Sequence, residues 1–366
     1  MLRRYRKTKE DSRCSSVEER ATITPFFSEK IKVVSFLSII FVLYIHTEFP
    51  ADVLSNKPIA AMVQKITTGL LAPCAVPMFF AISGYLFFFG ASHVGKVFIK
   101  MKKRIKTLFI PFVIAAMAYP LLPIFKELVL HHPAEKQYLL LIQRQEFTST
   151  LKCLFFDSGT TMPWAYHLWF LRDLIIIVLF SPVLFYARRW LGYWSIAVVA
   201  AFYLLFPQLH FLYGMFWFVA GSFVLDKLGS LPQRFTFLML TIFLAMAFWR
   251  LFVTDEVTEP FKTVEIALGV TALWRLYDML VSSSFRLESV PVLHVACQYT
   301  FFLYLFHEPS LHAVTKGIAQ GLGNGEPACT TALLLSPLLL APVLIASGFL
   351  IKKYLPRVYA MIAGGR

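Results

Sequence analysis

Long apolar stretches alternate with short polar ones along most of this 366-residue chain. About ten of these stretches approach the ~20 residues that a helix needs to cross the ~30 Å hydrocarbon core of a bilayer. Because a spanning helix satisfies its own backbone hydrogen bonds, the pattern predicts an all-α integral membrane protein, a bundle of about ten transmembrane helices. The predicted spans start at Val33, Ile66, Thr107, Leu168, Leu191, Leu212, Phe235, Val264, Val290 and Thr331.

The composition supports this class. Hydrophobic residues make up 58% of the chain and charged residues 15%, and the mean hydropathy is +0.65. A soluble domain carries roughly 25% charged residues. These values exclude a soluble enzyme, a disordered hub and a nucleic-acid binder, although the formal net charge is +14.

The distribution of cations explains that charge and predicts the orientation. With an inside N-terminus, about 24 of the 35 Lys and Arg residues lie on the cytoplasmic side and about 10 outside, as the positive-inside rule expects. We therefore expect a multi-pass protein of the cell inner (cytoplasmic) membrane with both termini cytoplasmic. The Lys96–Lys106 stretch is expected to be a cytoplasmic loop. The predicted divisions are a basic, disordered cytoplasmic tail (1–29), a membrane domain (30–356) and a cytoplasmic C-terminal tail (357–366).

Ionisable side chains recur near the outer ends of three predicted spans. An ionisable group at membrane depth costs ~2.5–3.5 kcal/mol, so each is a functional candidate. Histidines and carboxylates that converge at one level would form an acid/base site. Alternatively, they lie at the membrane interface, where polar groups cost little, and Arg172 and Asp173 form an internal ion pair. The residues are His46, Glu48, His167, Arg172, Asp173, His307 and Glu308.

The helical spacing around His46 is informative. Positions 11 and 14 residues apart share one helix face, so Ser35 and Lys32 lie ~16 and ~21 Å below His46, towards the cytoplasm. A face with a cation at one end and an imidazole at the other suits a ligand whose anionic end stays in the cytosol. A single histidine at a helix end is nevertheless more often structural, so this spacing needs further support.

Sequence motifs supply that support. The string KVVSFLSIIFVLYIHTEFP followed by AVPMFFAISGYLFF resembles the opening of the acyltransferase-3 family of multispan membrane O-acyltransferases. Similar matches follow in the family's order up to about residue 310, and the last, TFFLYLFHEP, contains His307. One position departs from the family pattern, because Ser35 stands where the family has a basic residue. Lys32, one turn lower, could supply that charge.

The resemblance implies acyl transfer, usually of an acetyl group, from cytosolic acyl-CoA to a hydroxyl of an extracytoplasmic or lipid-linked cell-envelope glycan. A sugar hydroxyl needs a base, and His46 is the predicted one, since imidazole titrates near neutral pH. Arg172 would stabilise the oxyanion, and Asp173, His307 and Glu308 complete the predicted catalytic set. Predicted substrate-binding residues are Lys32, Ser35, Ser83, Trp169, Lys102, Lys103, Arg104 and Lys106.

Alternative roles stay open for several of these residues. The Lys96–Lys106 cations could serve only to orient the chain, Ser83 to allow close helix packing, and Trp169 to anchor the protein at the membrane interface. No Cys or His spacing predicts a metal, and acyl-CoA enters as a substrate rather than as a tightly bound cofactor. Membrane lipids are expected partners and nucleic acid is not. The oligomeric state, the acyl group and the acceptor are not predicted.

A protein of another class would also fit the span pattern. A transporter or flippase could move a glycolipid or an acyl group without making a bond. The sequence shows no obvious internal repeat of the kind that many secondary transporters carry, which favours the enzyme.

Overall fold

The chain folds as an assembly of helices, and the predicted all-α class is confirmed. The computed structural model describes residues 22–121, 124–125, 152–156, 162–252 and 257–365, and these residues contain no strand. The α-helices are α1 (Pro25–Ile45), α2 (Ala51–Leu54), α3 (Pro58–Gly69), α4 (Ala75–Phe88), α5 (Val94–Ala118), α6 (Trp169–Leu179), α7 (Ser181–Leu191), α8 (Trp194–Leu205), α9 (Phe211–Val224), α10 (Gln233–Phe252), α11 (Glu259–Leu280), α12 (Pro291–Gln298), α13 (Thr300–Phe306), α14 (Ser310–Gly321), α15 (Glu326–Tyr354) and α16 (Pro356–Ile362).

Fewer helices qualify as membrane spans than the sequence predicts. Within the described residues, three are long and apolar enough to cross a membrane: Pro58–Phe88, which combines α3 and α4, then α10 and α15. A fourth is added if the bent pair of α6 and α7 counts as one span. These helices support a membrane protein, while the bundle of about ten spans and the cytoplasmic termini stay predictions.

Breaks at proline explain part of the difference. The stretch that starts at Val290 is divided into α12, α13 and α14, and Pro309 follows the end of α13. The stretch that starts at Leu168 bends by 64° between α6 and α7, where Pro182 occupies the first turn of the second helix. Proline lacks the N–H that continues a helix, and its ring clashes with the preceding turn.

The predicted Lys96–Lys106 loop is wrong, because these residues are helical. Helix α5 begins at Val94, where the His93 side chain accepts a hydrogen bond from the Lys96 N–H. Lys and Arg have unbranched side chains that favour helices. Val97 and Leu108, eleven residues apart on one face, are buried, so the helix packs on the core, while Lys102, Lys103 and Lys106 are exposed.

Both predicted tails overlap with helices at their inner boundaries. Residues 1–21 lie outside the described part of the chain. Helix α1 begins at Pro25, within the segment predicted as the N-terminal tail. Helix α16 occupies most of the predicted C-terminal tail, and its Tyr359 is buried with its ring centroid 5.9 Å from that of Tyr299.

Helices α4 and α9 cross so closely that glycine is needed at their contact. A Cβ built on Gly84 would lie 1.8 Å from the Phe218 carbonyl oxygen. On α9, a Cβ on Gly221 would lie 2.3 Å from the backbone of Ala81. The contact fixes the position of α4, which carries several residues of the site described below.

A buried ion network fixes α1 against α11. The Lys30 ammonium lies 2.7 Å from both carboxylate oxygens of Asp278 and 4.1 Å from the centroid of the Trp274 ring. The Arg275 guanidinium binds the same carboxylate at 3.1 Å and donates to the Gly229 carbonyl. Lys30 is only 2% exposed, so this ion pair holds the start of α1 in one place.

Candidate active site

Three histidines that are far apart in the sequence meet in the structure. The ring centroid of His307 lies 5.1 Å from that of His46 and 5.0 Å from that of His167. His46 ends α1, His307 follows α13, and His167 lies in a 3₁₀ turn before α6. His167 and His307 are buried and His46 is half-buried. The structure thus brings together the histidines that the sequence placed at one level, which we call the histidine cluster.

Backbone carbonyls define which nitrogen of two of these rings carries a proton. His307 Nδ1 lies 2.8 Å from the Tyr304 carbonyl oxygen, and His167 Nε2 lies 3.3 Å from the Leu305 carbonyl oxygen. A carbonyl oxygen only accepts, so these two nitrogens donate. In the neutral rings, His307 Nε2 and His167 Nδ1 are therefore unprotonated. Both are buried and have no hydrogen-bond partner within the described part of the chain.

Glu308 extends the cluster through a tyrosine. It is 5% exposed, and its carboxyl group hydrogen-bonds the side chain of Tyr166. The Tyr166 ring in turn contacts His46 edge-on, with centroids 5.4 Å apart. Glu308 Oε1 has no partner among the described residues, which leaves an acceptor for a hydroxyl group.

Arg172 and Asp173 form an ion pair with each other. Arg172 Nε and Nη2 lie 2.9 and 2.8 Å from Asp173 Oδ1, and Nη1 donates to the Phe155 carbonyl at 3.1 Å. Both side chains are almost fully buried. This arrangement corresponds to the structural alternative raised by the sequence, because the guanidinium is directed at its neighbour and at a backbone carbonyl.

A cavity of about 380 Å³ contains four of the predicted substrate-binding residues: Lys32 and Ser35 on α1, Ser83 on α4 and Arg104 on α5. Most of its other walls are apolar and come from α4, α5, α6 and α13. Tyr304 also lines it, and this residue accepts from His307 through its carbonyl and donates from its hydroxyl to the His167 carbonyl at 3.2 Å. The cavity, which we call the donor cavity, therefore has cations in its lining and borders the histidine cluster.

The other predicted substrate-binding residues lie elsewhere. Lys102, Lys103 and Lys106 are exposed on α5, close in sequence to Arg104 but outside the lining of the cavity. Trp169 is half-buried and packs against Phe80, with ring centroids 6.5 Å apart. Among the described residues, no group of three His, Cys, Asp or Glu side chains has an arrangement that could hold a metal ion.

Comparison with known protein families gives a match over most of the chain. The family model of the acyltransferase domain matches residues 30–352, which include every predicted site residue. The chain belongs to acyltransferase family 3. No curated protein and no solved structure matches the chain.

In this member of acyltransferase family 3, the sequence did not single out three residues that belong to the site. Tyr166 and Tyr304 contact the histidines, and Cys297 lines the donor cavity. Tyr304 lies three residues before His307, a spacing that places two helical residues on one face, so this signal was present. Tyr166 and Cys297 had no comparable signal, because their roles depend on how separate helices pack.

Proposed function

We propose that the protein is a membrane O-acyltransferase that moves an acyl group, with acetyl expected, from cytosolic acyl-CoA to a hydroxyl of an extracytoplasmic or lipid-linked cell-envelope glycan. The observation that carries this proposal is the junction between the donor cavity and the histidine cluster at Tyr304. Family membership supports acyl transfer as the reaction class.

The donor cavity suits a CoA thioester. Lys32 and Arg104 supply fixed cations for phosphate groups, and a guanidinium matches phosphate oxygens with two hydrogen bonds. The exposed Lys102, Lys103 and Lys106 would attract the anion to this entrance. The apolar wall from Phe79, Ile82 and Leu108 would accommodate the arm that carries the thioester. In this proposal Lys32 takes the role of the basic residue that the family has at the position of Ser35.

The chemistry needs one base and one acid in succession. An imidazole of the cluster, with His46 as our choice, takes the proton of the acceptor hydroxyl while its oxygen attacks the thioester carbonyl. The tetrahedral intermediate collapses, the C–S bond breaks, and the imidazolium returns its proton to the CoA sulfur. The ring centroid of His307 lies 5.1 Å from that of His46, and the unprotonated Nε2 of His307 would share this proton. Placing such a base contributes roughly 10²–10⁴-fold in rate.

The test measures CoA release and acyl transfer by purified protein in nanodiscs, with labelled acetyl-CoA and an envelope glycan extract. We expect His46→Ala to lower acyl transfer by roughly 10²–10⁴-fold. The matched control is His210→Ala, because His210 is exposed and outside the histidine cluster. A folded His46→Ala variant with unchanged transfer contradicts the assignment of the base. Movement of a glycolipid across liposome membranes without CoA release would instead favour the transporter.

A further inference from the structure

A second cavity approaches the site from another direction. This lateral groove has a volume of about 490 Å³ and is lined mainly by residues of α5, α13 and α15, with one residue each from α14 and α16. The lining includes Tyr119, Phe302, Phe306, Leu344, Ile351 and Glu308. Its volume falls within the ~300–1,000 Å³ typical of ligand sites. The groove is elongated, since Leu344 and Ile351 are about 10 Å apart along α15.

The surroundings of the groove are apolar. Leu121 in its lining is 61% exposed, and the adjacent Met117 and Val343 are 56% and 59% exposed. Helix α15 is among the helices apolar enough to span a membrane, and only 28% of its most apolar stretch is buried inside the protein. In a bilayer this surface contacts acyl chains, so the groove would be filled by an apolar chain rather than by water.

One residue of the groove lining differs from the others, because it carries a carboxyl group. Glu308 is 5% exposed, and its Oε1 has no hydrogen-bond partner within the described ranges of the chain. A buried carboxyl oxygen in apolar surroundings requires a hydrogen-bond partner, and a hydroxyl group can donate to it or accept from it. Glu308 also hydrogen-bonds Tyr166, whose ring contacts that of His46. In the sequence, Glu308 directly follows His307.

We propose that the lateral groove binds the apolar chain of the acceptor, an amphiphilic alcohol that enters from the bilayer and presents its hydroxyl-bearing head group to Glu308 and the histidine cluster. This inference rests on the proposed acyl transfer and selects a lipid-linked acceptor over a water-soluble glycan. Donor and acceptor then reach the histidines through separate openings, the donor cavity and the lateral groove.

The first test follows labelled acetyl groups in nanodiscs that contain a total membrane lipid extract and, separately, the delipidated glycans of the same membranes. We expect the label in the lipid fraction, which organic solvent extracts, and we expect alkali to release it because it is held as an ester. Leu344→Trp fills the groove, and excluding even two chain methylenes should lower this incorporation about tenfold. The matched control is Val343→Trp, since Val343 is adjacent on α15 but faces outward, and it should incorporate label like the wild type.

A photoreactive dodecyl glucoside in the same nanodiscs tests occupancy without turnover. We expect its cross-links to map to α5 and α13 in the wild type and in Val343→Trp, and to be lost in Leu344→Trp. Cross-links spread evenly over the lipid-facing helices, or label found only in water-soluble glycans, overturn the groove proposal while leaving acyl transfer intact. No label in either fraction, with the groove still cross-linked, overturns acyl transfer and with it the acceptor role of the groove.

Discussion

The contact between α4 and α9 predicts a large effect from one methyl group. In Gly84→Ala, the new Cβ would lie 1.8 Å from the Phe218 carbonyl oxygen, and 2.6 and 2.9 Å from the next two backbone atoms of Phe218. Ordinary contact begins near 3.4 Å, so the helices must separate by about 1.6 Å, the difference between 3.4 and 1.8 Å. The obstacle is backbone, which has no rotamer that would relieve the clash.

The magnitude follows from two opposing terms. Overpacking a core costs typically 1–3 kcal/mol, and we expect about 3 kcal/mol here because no side chain can move aside. Ala favours a helix over Gly by about 1 kcal/mol, which leaves a net loss of about 2 kcal/mol. Because α4 carries Phe79, Ile82 and Ser83 into the donor cavity, the displacement should also raise the KM for acyl-CoA.

The loss of stability is measured by thermal unfolding in detergent, with the remaining monodisperse protein quantified at each temperature. Steady-state kinetics with acyl-CoA measures the change in KM. Gly317→Ala is the control, because Gly317 is inside α14 and a Cβ there has nothing within 4 Å. That substitution should leave the melting temperature unchanged or raise it. Equal melting of the two variants would refute the argument that backbone contact at Gly84 determines the helix crossing.

Three other substitutions separate catalysis, donor binding and stability. His307→Asn keeps a donor for the Tyr304 carbonyl but has no basic nitrogen, so transfer should fall roughly 10²–10⁴-fold with unchanged melting; normal activity excludes His307 from proton transfer. Lys32→Ala should raise the KM for acyl-CoA about tenfold through loss of a charge-assisted hydrogen bond, with little change in kcat; an unchanged KM removes Lys32 from the donor site. Arg250→Ala leaves Glu265, 1% exposed and paired with Arg250 at 2.8 Å, as a lone buried charge, and chemical denaturation should show a loss of about 3–5 kcal/mol; a loss below about 1 kcal/mol would mean that the pair contributes little.

The histidine cluster was largely predictable, because the cost of burying polar groups applies to each residue separately. His46, His307 and Glu308 are conspicuous in apolar stretches, and membrane depth is readable from the sequence. The spacing of Lys32, Ser35 and His46 follows from helix geometry, and Lys32 and Ser35 do line one cavity. Such inferences need only the distance along one helix.

The partners of these residues were not predictable in the same way. Whether Arg172 faces a substrate or its own neighbour depends on a rotamer, and the structure pairs it with Asp173. Whether Lys102 or Arg104 lines the donor cavity depends on the rotation of α5, because both lie on one basic helix. The lateral groove is lined by residues of α5 and of the much later helices α13 to α16, and no local pattern indicates such a space.

The broken helices that reduced the number of recognisable spans also orient the histidines. The last carbonyls of a helix have no partner within the helix. Tyr304 and Leu305 are in the last turn of α13, which ends at Phe306, and their carbonyls accept from His307 and His167. An uninterrupted span would use these oxygens for its own backbone and would leave the imidazoles without a fixed tautomer. The break after α13 therefore supplies acceptors for two buried imidazoles, and the cluster depends on it.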